Sequence, residues 1–129
     1  SDSPDLDIAY KLCEYAGKGR LKLSIGKPVF PGLKQVFRIP AGEHDTRDVI
    51  ARADEDLQGR PLLSAVMRDG RRLSKDTASL ESLREYAREQ VSRLPDHIRA
   101  IAPADNPYPV EISQALSRLQ DEISKKVVK

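Results

Sequence analysis

Tryptophan is absent from this 129-residue chain, phenylalanine and histidine each occur twice, and cysteine occurs once. Each scarcity removes a class of protein. A single cysteine, Cys13, excludes an internal disulfide framework. Its place in a strand-like run reads as a small buried thiol in a reducing, cytoplasmic compartment, since a nucleophile needs an exposed electropositive setting. His44 and His97 have no second histidine or cysteine at metal-ligand spacing, which argues against zinc, and Asp54-Glu55-Asp56 reads as a solvated acidic loop. No run approaches the ~18 apolar residues of a membrane span, and Ser1-Asp-Ser-Pro-Asp5 has neither the positive start nor the apolar core of a secretory signal. A dinucleotide GxGxxG, a P-loop, a nucleophile elbow and an HExxH are all missing.

What is present is one domain's worth of chain, with a core drawn mainly from Leu, Ile, Val and Ala. A net charge of +2 is too small to point to nucleic acid, so the distribution of charge carries the information. Between Glu14 and Glu43 the sequence holds Lys18, Arg20, Lys22, Lys27, Lys34 and Arg38 with no acid. This basic ribbon, Tyr10 to Pro40, alternates short apolar strand material with glycine and proline. The acidic residues Asp45, Asp48, Asp54, Glu55 and Asp56 follow it, and the change of sign predicts a face opposite the basic one.

The expected fold class is α+β: a small antiparallel β region of hairpins over residues 1–75, then a helical C-terminal region, 76–129, with two amphipathic helices packed on it. Ile8 to Tyr15 alternates as a strand, Gly17 and Gly19 break it, and Leu21 to Ser24 returns. Pro28, Pro31 and Gly32 exclude a long central strand. Gln35 to Ile39 resumes extended structure, a short strand is expected at Val49 to Arg52, and Pro61 to Arg68 carries apolar residues on both faces, as for a strand covered on two sides. Asp69-Gly70 is a strong two-residue turn signal, with Arg71 to Leu73 as the return. Leu80, Leu83, Ala87, Val91 and Leu94 then recur at helical spacing, with Ser79 as N-cap and Pro95 as stop, and this face is expected to meet the β region. Pro95 opens a short turn with Ile98 and Ile101. After Pro103, Pro107 and Pro109 a second helix starts near Ile112, with Leu116, Leu119 and Ile123 on one side and basic residues at its C-terminus.

The ribbon's lysines admit two readings. Lys11 and Lys22 are spaced to point together at a phosphate, or the lysines guard a sheet edge against pairing with other chains. The wider sequence narrows the choice. Tyr10-Lys11-Leu12, Glu14-Tyr15-Ala16-Gly17, Arg20, Lys22-Leu23-Ser24, Gly26-Lys27, Pro31-Gly32 and Lys34-Gln35-Val36-Phe37-Arg38 resemble the segment that follows the barrel in nicotinate phosphoribosyltransferases. Gly59, Pro61-Leu62-Leu63, Val66 through Leu73, Tyr108-Pro109-Val110, Ser113 and Leu116 resemble the same family's closing region. Cys13 and Leu33 depart from the pattern, where an aliphatic and a basic residue are usual.

This resemblance implies the C-terminal piece of a larger enzyme that condenses nicotinate with phosphoribosyl pyrophosphate in NAD biosynthesis, using Mg²⁺ and ATP, with the phosphorylated histidine and barrel loops upstream. The piece alone would be inactive, would bind no cofactor, and would contribute structure together with substrate-phosphate contacts from Lys11, Lys22 and Lys34. Its partners would be the N-terminal and barrel parts of the parent, within a homodimer, and not a membrane or nucleic acid. A nucleic-acid-binding or protein-interaction β module using the basic ribbon is the alternative; such modules interleave exposed aromatics for stacking.

Overall fold

The structure is a computed structural model and describes residues 10–22, 29–73, 78–103 and 105–127. The expectations that fall on Ile8, Leu23, Ser24, Lys27 and Pro28 lie outside these residues. The first described hairpin joins β1 (Glu14–Tyr15) to β2 (Lys18–Gly19) in antiparallel register. Ala16 and Gly17 both take positive φ, 50° and 69°, as a tight two-residue hairpin turn requires.

The long hairpin of β3 (Lys34–Ala41) and β4 (His44–Arg52) dominates the fold. Its register shifts between Ile39 and Pro40, where proline has no N–H to give to the ladder and an irregularity is tolerated. β5 (Arg60–Pro61) adds an edge to β3. A separate small hairpin follows, β6 (Met67–Arg68) with β7 (Arg71–Arg72), turning at Asp69 and Gly70 with φ of 50° and 73°. Then come α1 (Leu80–Ser92), the short α2 (Asp96–Arg99), β8 (Val110–Ile112) and α3 (Gln114–Val127). β8 pairs with β4 in parallel, so the main sheet runs β5-β3-β4-β8. The class is α+β, as the sequence implies.

Strand alternation puts Phe37, Val49 and Ala51 on one sheet face, all buried, and α3 packs there with Leu116 completely enclosed. Ser113 starts α3: its hydroxyl accepts from the Leu116 N–H and donates to Glu55 Oε1 at 2.6 Å. Packing beside the sheet is tight at Gly59. A Cβ there would stand 2.6 Å from Ile39 Cδ1 and 2.9 Å from the Arg38 carbonyl oxygen. Gly59→Ala is therefore expected to cost ~1–3 kcal/mol, because backbone cannot yield as a side-chain tip does. An unchanged urea midpoint would show that β5 shifts freely.

Several expectations are corrected. Among the described residues the first strand begins only at Glu14 and ends at Tyr15 as expected, so Tyr10 to Cys13 precede it and Cys13 is half-buried. The described return is Lys18–Gly19, and Leu21 and Lys22 lie outside it. β4 begins at His44 rather than Val49, because its early residues are held by cross-strand pairing rather than apolar burial. Leu63, Val66 and Met67 are exposed, so the stretch from Pro61 is not covered on two sides. The apolar face of α1 does not meet the sheet: α1 has no buried residue, with Leu80 81% and Leu83 51% exposed, whereas α3 packs on β4. The second helix, expected from near Ile112, starts at Gln114, and Val110–Ile112 before it form β8, a strand not expected, since three residues between a proline and a helix cap are too few for periodicity to reveal. Nor do Asp45 and Asp48 make an acidic face of their own: Asp48 meets Arg38, and Asp45 meets Arg60 and Arg93.

Candidate functional site

Two polar clusters stand out, and they differ in whether their groups are already satisfied. The first lies on the sheet face away from α3. Arg38 on β3 reaches directly across to Asp48 on β4, its Nε and Nη2 donating to the two carboxylate oxygens at 2.9 Å each. The Tyr108 hydroxyl donates to Asp48 Oδ1 at 3.2 Å, and the Arg38 guanidinium sits 5.7 Å from the centre of the Tyr108 ring. Burial first, and then Asp48, pushes the Tyr108 phenol up to about 12, while the hydrogen bond to Asp48 holds the Arg38 guanidinium well above its ordinary value.

Next to it Asp45, 1% exposed, receives Arg60 at 3.2 Å and Arg93 at 3.2 and 3.4 Å, and the Asp45 N–H donates to the Arg93 carbonyl at 2.8 Å. The paired carboxylate raises the Arg93 guanidinium. Every acid here has its base, and no buried side-chain polar atom among the described residues is left unpartnered. Arg38 of the basic run thus meets Asp48 across the strands, and Asp45 is met by Arg60 and Arg93 from farther along the chain. This face is a brace that ties α1's end, β5 and the Tyr108 segment to the long hairpin, with little left over for a ligand.

The second cluster is the basic ribbon. Beyond β1 and β2 the register is continued by the Arg20 N–H, which donates to the Cys13 carbonyl at 2.8 Å; the Gly32 N–H donates to the same oxygen at 2.6 Å. Counting outward in that register brings Lys11 towards Lys22, on the side shared by Arg20. A cavity of about 620 Å³ opens there, lined by Tyr10, Lys11, Leu12, Arg20, Leu21, Lys22 and Val29. Its size is that of a small-molecule site. Among the described residues three cations and no acid line it, against walls of leucine, valine and a tyrosine ring.

Of the three lysines expected at a substrate, the structure places Lys11 and Lys22 on this groove and Lys34 away from it. Lys34 Nζ donates to the carbonyls of Phe30 at 2.9 Å and Gly32 at 2.7 Å, holding the loop that enters β3. Arg20 was visible in the sequence as one more ribbon charge; only the register of the Ala16-Gly17 turn sets it beside the lysines. Among the described residues no three His, Cys, Asp or Glu side chains converge as a metal site would need, and no helix is long and apolar enough to cross a membrane.

Residues 55–120 match the family described as the nicotinate phosphoribosyltransferase C-terminal domain, and the chain belongs to that family. The chain is 40% identical over 115 residues to nicotinate phosphoribosyltransferase pncB2 of Mycobacterium tuberculosis, in strains CDC 1551 and H37Rv, across 89% of its own length and 25% of theirs. It therefore spans about a quarter of the length of the curated relatives it matches. The crystal structure of human nicotinic acid phosphoribosyltransferase superposes with a TM-score of 0.75 at 23% identity, over 90% of this chain and 26% of that one, and so shares the fold.

Proposed function

We propose that this chain is the C-terminal domain of a nicotinate phosphoribosyltransferase, which condenses nicotinate with phosphoribosyl pyrophosphate to nicotinate mononucleotide and pyrophosphate in an ATP-coupled step of NAD biosynthesis. The family match over residues 55–120 carries this reading. The catalytic histidine and the Mg²⁺ and ATP sites belong to the remaining three quarters of such an enzyme; the donor set described here does not fit a protein-held Mg²⁺. The domain itself supplies a scaffold and, at the ribbon, cations for a substrate phosphate. Lys11 and Lys22 make those contacts from the groove they share. Lys34 has two of its three donors on backbone carbonyls and one left for a ligand.

The uncovered apolar side chains fit the same reading. Leu80, Leu83, Tyr86 and Val91 on α1, and Val66 and Met67 at the small hairpin, are exposed places where the rest of the enzyme and a second subunit would pack.

In a full-length enzyme carrying this domain, Lys11→Ala and Lys22→Ala are each expected to raise KM for phosphoribosyl pyrophosphate roughly tenfold, the loss of one charged hydrogen bond. The 129-residue chain alone is expected to form no nicotinate mononucleotide. An unchanged KM in both variants would remove the lysines from the substrate site, and turnover by the chain alone would remove the division of labour.

A further inference from the structure

The groove holds one cation more than the lysine reading uses. Beyond the end of the first hairpin, where the Arg20 N–H meets the Cys13 carbonyl, Lys11, Arg20 and Lys22 line one groove, and like charges gathered in one groove repel one another. A seated anion reverses the sign of that interaction, and its charge has to match. A phosphomonoester carries roughly −1.5 to −2 at neutral pH, which two ammonium groups balance. The third cation calls for a second phosphate group.

Arg20 differs from its neighbours in kind as well as number. An ammonium is a compact point charge with rotatable donors, whereas a guanidinium presents a rigid planar fork that grips two oxygens at once. Its backbone is also fixed, by the hydrogen bond to the Cys13 carbonyl that Gly32 shares. The side chain itself is exposed and lines the groove. We propose that Arg20 is a third anion-binding residue, and that it makes the groove select a diphosphate group over a monophosphate. This deepens the phosphate reading of Lys11 and Lys22 and rests on it.

Titrating the 129-residue chain with inorganic phosphate and with inorganic pyrophosphate, followed by amide NMR shifts, tests the assignment. The wild type is expected to bind pyrophosphate about tenfold or more tighter than phosphate. Arg20→Gln is expected to erase that preference, weakening pyrophosphate while leaving phosphate within about twofold. Arg20→Lys, which keeps the charge and loses the fork, should retain only part of it. Arg71→Gln, on the separate β6–β7 hairpin, should change neither anion, and unchanged amide dispersion shows that each variant is folded. If Arg20→Gln keeps the wild-type preference while Lys11→Ala and Lys22→Ala weaken both anions, Arg20 is not the selecting residue and the lysine reading survives. If the lysine variants bind both anions like the wild type, or the wild type binds neither, both readings fall together.

Discussion

Removing both arginines from Asp45, with Arg60→Ala and Arg93→Ala combined, is expected to destabilise the chain by ~3–5 kcal/mol, because it leaves an uncompensated carboxylate in the interior. Asp45 is 1% exposed, whereas Arg60 and Arg93 keep about a third of their side-chain surface in solvent. That asymmetry decides the ranking. Asp45→Ala frees two guanidinium groups that turn to water, and costs less than the double variant. Each single arginine variant costs less than half of the double, since one arginine still meets the carboxylate, so the effects are strongly non-additive. Urea unfolding of the four variants measures this; a double variant no less stable than Asp45→Ala at neutral pH contradicts it.

Leu116→Ala should be nearly as damaging, at ~2–5 kcal/mol, because the side chain is completely enclosed and the sheet behind it cannot collapse into the space. The control is on α1. Leu83, at a similar place in its own helical pattern, is half exposed, and Leu83→Ala is expected to cost under ~1 kcal/mol. Measured side by side, equal losses would mean that α1 is covered in solution after all.

Both helical stripes were legible in the sequence, and so were the Ser79 cap, whose hydroxyl accepts from the Ser82 N–H at 3.1 Å, and the Asp69-Gly70 turn. Periodicity and turn chemistry are local, and local signals survive reading. What each stripe meets is not local. Leu83 and Leu116 carry the same spacing signal, yet only Leu116 has a sheet against it. The first turn was legible but displaced, read at Gly17 and Gly19 where it falls at Ala16-Gly17, because alanine seldom accepts a positive φ and the two glycines offered a more ordinary break. With that turn misplaced, the register that sets Arg20 beside Lys11 and Lys22 could not be counted. β4 shows a different limit. His44 to Asp48 is too polar to look like a strand, since its acids are matched by Arg38 across the hairpin and by Arg60 and Arg93 from farther along the chain.

The parallel partner of β4 comes from far along the chain. Asp48 and Tyr108, which meet beside β8, are 60 residues apart, and drawing such distant ends together costs roughly 3–4 kcal/mol of loop-closure entropy in addition to ordering the strand itself. A three-residue strand offers too few ladder bonds to offset that alone. The balance comes from the next residues, where the Ser113 cap and the burial of Leu116 begin α3 on the same sheet. β8 and α3 therefore form or dissolve as one unit, and the last twenty or so described residues act as a clasp whose strand has no independent existence without its helix.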